Sequence, residues 1–193
     1  MTQEEKIAIA ETVRHRDRFG PVSQEELAAL SGKETELWIQ TKNGYCVHVF
    51  EERPEALPDR APILLNFHGG GFLKGRTDRE RRYCCAVMEA TNALVWDVDY
   101  SLAPEKPFPY AAEESYGIIQ YVFEHAEELC IDPEKIMLAG HSAGGNLVAS
   151  ALVKNAETKA FHPCCALMEY FPTDNTANPV ERLSEELKQD PFW

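Results

Sequence analysis

The sequence predicts an α/β fold: a mostly parallel sheet with helices on both faces, entered through an N-terminal antiparallel hairpin. Three observations carry this. Short apolar runs at 63–67 (ILLNF), 93–100 (ALVWDVDY), 136–140 (IMLAG) and 164–170 (CCALMEY) have the character of buried strands. Segments of helical character separate them, and strands that alternate with helices form parallel sheets. Asn43-Gly44 stands between two strand-like runs in ELWIQTKNGYCVHVFEE, the strongest short-range signal for a tight hairpin.

The elements follow in order. The first forty residues read as helical, because Thr2-x-x-Glu5 and Ser23-x-x-Glu26 are capping boxes and Gly20-Pro21 and Gly32 punctuate between them. The hairpin comes next, then the polar, proline-rich connection RPEALPDRAP. Thr77-x-x-Glu80 opens a helix after the 63–67 strand. AAEESYGIIQYVFEHAEEL (111–129) makes the second helix and SAGGNLVASALVKN (142–155) the third. The last stretch, PTDNTANPVERLSEELKQDPFW, reads as a turn-rich loop and one short amphipathic helix ending in Phe192-Trp193.

Bulk properties narrow the function. A chain of 193 residues with 44% apolar and 26% charged residues is one globular domain with a real core. Its net charge of −13 argues against a nucleic-acid backbone or an anionic membrane surface as partner. The N-terminus lacks the basic region and apolar stretch of a signal peptide, and no apolar run is long enough to span a membrane. Six cysteines, two vicinal pairs (Cys84-Cys85, Cys164-Cys165) and two singles (Cys46, Cys130), do not form a disulfide framework, and no C-x-x-C suggests zinc. Reduced thiols in a cytoplasmic protein are the expectation.

Two motifs carry chemistry. Gly140-His141-Ser142-Ala143-Gly144 fits G-x-S-x-G, follows an apolar strand and opens a helix, the setting in which a serine nucleophile sits on a sharp turn. Free N–H groups and the dipole at a helix start favour an oxyanion. His68-Gly69-Gly70-Gly71-Phe72 directly follows the strand ILLNF, and three glycines let the main chain aim its N–H groups at a ligand. A phosphate loop competes for that reading, but neither G-K-[ST] nor G-x-G-x-x-G is present. His68 reads as a residue that holds the loop by hydrogen bonds, and Asp99 as its structural partner. Cys46 and His48, two apart on a strand, share a face, but two ligands without partners read as packing rather than a metal site. The acidic run Glu124–Glu128 reads as a solvated helix face.

With HGGGF (68–72), DYSLAPEKPFP (99–109) and GHSAGGN (140–146) in this order, the chain resembles the hormone-sensitive-lipase-like branch of the α/β-hydrolases over roughly residues 34–170. The resemblance implies Ser142 as nucleophile and the backbone N–H groups of Gly70, Gly71 and Ala143 as oxyanion donors. It implies hydrolysis of small carboxylic esters with short to medium acyl chains, without metal or cofactor. It implies residues 1–33 as a helical cap segment, 34–170 as a partial core and 171–193 as the start of a further cap or lid segment, incomplete at the C-terminus. In that family the triad acid and histidine follow a seventh and an eighth strand. Downstream of Ser142 stand only His162 and acids such as Glu169 and Asp174, and His162 lies before its strand, at the wrong end of the sheet. The expectation is therefore a chain without its general base, near-inactive alone. Its open sheet edge is expected to lead to self-association or completion by another chain. A non-catalytic ligand-binding relative, or an amidase or deacetylase on the same fold, stays open beside the esterase.

Overall fold

The computed structural model describes residues 1–15 and 20–173. Of the predicted 171–193 segment only residues 171–173 fall inside that range; its helix, Asp174 and Phe192-Trp193 lie outside the described residues.

Helices α1 (Gln3–Arg14) and α2 (Gln24–Ala28) begin at their predicted capping boxes, with the Thr2 and Ser23 hydroxyls accepting from Glu5 and Glu26 N–H and each glutamate returning to its cap. The hairpin pairs β1 (Lys33–Gln40) with β2 (Cys46–Arg53), and its turn is closed by Thr41 and Tyr45. The remaining elements alternate: β3 (Ala61–Phe67), α3 (Asp78–Thr91), β4 (Leu94–Asp99), α4 (Tyr110–Glu124), β5 (Ile131–His141), α5 (Ala143–Thr158) and β6 (Cys165–Glu169).

They build one sheet in the order β1-β2-β4-β3-β5-β6. β1, β2 and β4 run antiparallel in turn, and β4, β3, β5 and β6 are parallel. Alternate side chains of the central strands face opposite layers. Ile63, Leu65, Phe67, Leu94, Trp96, Val98, Ile136 and Leu138 pack with Ile118, Ile119 and Val122 of α4 and Leu147, Val148 and Ala151 of α5. Leu64, Val95 and Ala139 pack on the other side with Cys84 and Met88 of α3. The alternation follows from the period-2 geometry of strands and explains why both faces are apolar.

Three boundaries depart from the sequence reading, the first being β1, which begins at Lys33 inside the first forty residues read as helical. The second helix stops at Glu124, not near 129: His125 N–H still donates to the Tyr121 carbonyl at 3.0 Å, and the residues after it continue in turns. Cys130 at φ 56° then turns the chain into β5. Glu127 and Glu128 are thus exposed in turns past the helix, rather than on a helix face. The fifth strand begins five positions early at Ile131, with a register irregularity opposite Ala61 and Ile63.

One register decides where chemistry can happen. Phe67 of β3 pairs with Gly140 of β5. The segments that follow these residues therefore leave adjacent parallel strands side by side at the C-terminal edge, where open α/β sheets place their ligand sites.

Candidate active site

The turn at the end of β5 is sharp. Ser142 caps α5 with φ 50° and ψ −114°, a conformation L-residues avoid and one that costs on the order of 1–3 kcal/mol. Glycines on both sides make it sterically feasible. A Cβ on Gly144 would overlap the Phe67 carbonyl, and one on Gly140 would come within 2.5 Å of the Gly144 backbone. The backbone fixes the serine from two directions: Ser142 N–H donates to the Glu169 carbonyl at 2.9 Å, and Asn146 N–H to the Ser142 carbonyl at 3.1 Å. Its hydroxyl has no hydrogen bond among the described residues. Ala143 is buried at the first helical position, where the N–H has no intrahelical acceptor.

The HGGGF segment lies against this turn. A Cβ on Gly69 would sit 3.3 Å from the His141 carbonyl and 3.7 Å from Ser142 Cβ. Gly70, Gly71 and Phe72 have φ of 123°, 62° and 62°, and Leu73 and Lys74 N–H both donate to the Gly70 carbonyl. At Gly70 only glycine fits, since a Cβ would meet Lys74 O at 2.5 Å. The structure thus brings the predicted Ser142, Ala143, Gly70 and Gly71 together at one edge of the sheet.

His68 and Asp99 lie beneath the loop. His68 is fully buried, stacked on the Tyr100 ring with centroids 4.2 Å apart, and its carbonyl accepts from the Tyr100 hydroxyl at 2.8 Å. Nδ1 faces the Gly69 carbonyl at 2.7 Å, and Nε2 faces Asp99 Oδ1 at 3.6 Å, a charge contact longer than a hydrogen bond. Burial opposes protonation of this ring, but Asp99 and the Gly69 carbonyl outweigh it and raise its pKa. Burial would raise the Asp99 carboxyl, but His68 and His48 reverse that and hold it below its ordinary value.

Other candidates fall elsewhere. His141 points back to Tyr83 and to Glu169 Oε2 at 3.4 Å. His162 is exposed near Glu134, a residue close to the start of β5 and away from Ser142. Cys46 and His48 do share a face and line one cavity of about 420 Å³, but His48 is occupied by Asp99 Oδ2 at 3.0 Å and Glu36 at 3.1 Å. Among the described residues no group of three or more His, Cys, Asp or Glu side chains could hold a metal. A second, mostly apolar cavity of about 370 Å³ is lined by Phe72, Phe108, Ala111, Ala112, Asn146 and Leu147, among others. Ser142 is in neither wall, but Phe72 ends the glycine loop and Asn146 lies one turn beyond the serine.

The sequence reading missed a charged cluster on the same side. Arg76 donates from Nε to Asp97 Oδ2 and from Nη2 to Glu34 Oε2, each at 2.5 Å, with Glu52 3.9 Å away. Asp97 is fully buried and also accepts from Asn66 at 2.7 Å. The available signal was Asp97 inside an apolar strand: a buried carboxylate requires a cation, and Arg76 directly follows the loop.

Comparison with known proteins agrees with this fold. A sequence profile described as alpha/beta hydrolase fold matches residues 64–193. An AB hydrolase superfamily protein of Schizosaccharomyces pombe is 34% identical over 169 residues, 86% of this chain and 48% of that protein. Hormone-sensitive lipase of Bos taurus is 34% identical over 134 residues, 68% of this chain and 18% of the lipase. Among solved structures, a bacterial heroin esterase superposes with a TM-score of 0.75 at 28% identity, over 93% of this chain and 56% of that one. The chain spans about half the length of the yeast relative. Among the described residues no helix is long and apolar enough to cross a membrane. A matching profile over most of the chain, hormone-sensitive lipase and esterase relatives, and a sheet of this order together show that the chain belongs to the α/β-hydrolase family, in its hormone-sensitive-lipase-like branch.

Proposed function

We propose that the chain supplies the nucleophile and the oxyanion loop of a serine carboxylic-ester hydrolase acting on small esters of short to medium acyl chains. The observation that carries this reading is Ser142 at φ 50° on the β5–α5 junction, with the Gly69–Gly71 backbone packed against it. Ser142 Oγ attacks the ester carbonyl carbon and gives up its proton to a general base. The oxyanion that forms is held by Gly70, Gly71 and Ala143 N–H. Collapse expels the alcohol and leaves an acyl-Ser142; water then attacks, and the carboxylic acid departs. His68 and Asp99 support the loop, and the first helical residues form part of a cap. Arg14 of α1 supports that assignment, since it donates to the Leu73 and Ala103 carbonyls and pairs with Glu105.

No histidine among the described residues hydrogen-bonds to Ser142, and this supports a base and acid supplied from outside them. We expect the chain by itself to turn over esters far more slowly than ordinary esterases, retaining only what binding and the oxyanion donors provide. Among the described residues β6 pairs with β5 alone, and its outer edge is proposed to accept another strand, from a second copy or another chain. The test is hydrolysis of p-nitrophenyl butyrate by the purified chain beside Ser142→Ala. Turnover no greater than the variant's is expected for the chain alone. Steady turnover abolished by Ser142→Ala would mean that a base does reach the serine, with His162 the first residue to replace.

A further inference from the structure

The chemistry above leaves Asp97, the buried carboxylate of β4, unused. Asp97 and Asp99 stand two apart on one face of β4, and each meets one end of the loop. At its entry, His68 faces Asp99. At its exit, Arg76 clamps Asp97 with Nε and reaches Glu34 of β1 with Nη2. The Arg76 guanidinium lies over the Phe50 ring at 4.0 Å, Phe50 lies 4.5 Å from the His48 ring, and His48 Nδ1 bonds Asp99 at 3.0 Å. Side chains of β2 thus join the two anchors into a closed circuit behind the glycines.

We infer that Arg76 and His48 are positioning residues that hold the 68–76 loop against Ser142, Arg76 through Asp97 and Glu34 and His48 through Asp99 and His68. The inference rests on reading this segment as the oxyanion loop. Positive φ at three successive residues is a conformation a glycine-rich segment does not keep unaided, because glycine has the most freedom to lose. Donors that stabilise a transition state must be held within a fraction of an ångström, and displacement by about 1 Å can cost ~100-fold in rate. A planar guanidinium spans two carboxylates as a fork, which a lysine ammonium cannot reproduce.

The test is covalent modification of the full chain by a fluorophosphonate, followed by intact mass over a range of probe concentrations. It is paired with amide hydrogen exchange of residues 68–76. Arg76→Lys should lower the maximal labelling rate about tenfold or more, leave the half-saturating probe concentration within about twofold, and speed exchange in the loop. His48→Leu should act in the same direction. His48→Asn keeps an N–H donor toward Asp99 and should recover most of the rate, which a role in mere packing would not produce. Wild-type labelling and wild-type loop exchange in Arg76→Lys and His48→Leu would overturn the inference, as would an asparagine variant no better than leucine. If Arg76→Lys does not fold, the two His48 variants carry the decision. If the unmodified protein takes no label on Ser142, the esterase reading fails and exchange alone decides: faster exchange confined to 68–76 upholds the clamp, unchanged exchange overturns it.

Discussion

Replacing Glu52 with glutamine should leave stability nearly unchanged at pH 5 and raise it at pH 8. Glu52 is fully buried on β2, with neither carboxyl oxygen hydrogen-bonded. Arg81 Nε is 3.4 Å away and Arg76 Nη2 3.9 Å, charge contacts that supply no hydrogen bond. Burial, and then the neighbouring Glu34, push its pKa from 4.5 up to about 7, against the pull of the two arginines. The folded protein therefore keeps a proton that the unfolded chain releases above about pH 4.5. Between that value and about 7 the folded state binds more protons, so stability falls as pH rises. At about 1.36 kcal/mol for each pH unit of the window, roughly 3 kcal/mol is lost by pH 8. Glutamine keeps the shape and removes the titration. Urea unfolding of both proteins from pH 5 to 8 reads the effect as a stability difference that grows from near zero to roughly that size. A difference that stays flat, or a variant that loses stability as pH rises, would refute the reasoning: Glu52 would then be an ionised partner of Arg76 and Arg81.

Two further predictions concern the turn. Ser142→Gly should be more stable than Ser142→Ala by about 1 kcal/mol, because relief of the φ 50° strain exceeds the extra chain entropy of glycine; equal stabilities in denaturant melts would show the turn to be unstrained. Gly144→Ala should cost upwards of ~3 kcal/mol or prevent folding, since its Cβ has nowhere to go but the Phe67 carbonyl; a well-folded variant in thermal unfolding would mean β3 and α5 can separate at little cost.

Much of this fold was legible because its signals are local. The capping boxes at Thr2, Ser23 and Thr77 all form, since each needs only residues three apart. Asn43-Gly44 lies in the turn of its hairpin, between Thr41 and Tyr45, and the four apolar runs become β3 to β6. Ser142 and the glycines at 69–71 could be picked out because few other sequences permit such turns. What escaped reading is long-range. Arg76 meets Asp97 and Glu34 across 21 and 42 positions, and nothing near it in sequence marks those partners. His48 was read as packing, because its bond to Asp99 exists only once β2 lies beside β4. The end of α4 was misplaced because EHAEEL has good helix formers, whereas past Glu124 the chain runs in turns up to Cys130 at φ 56°.

The most direct test of the account is to map which residue a fluorophosphonate modifies. Peptide mass spectrometry of the treated chain should find one adduct, on Ser142, forming slowly because no histidine among the described residues hydrogen-bonds to Ser142, and absent in Ser142→Ala. An adduct on another residue, or none on Ser142 at any probe concentration, would contradict the claim that this turn presents a nucleophile.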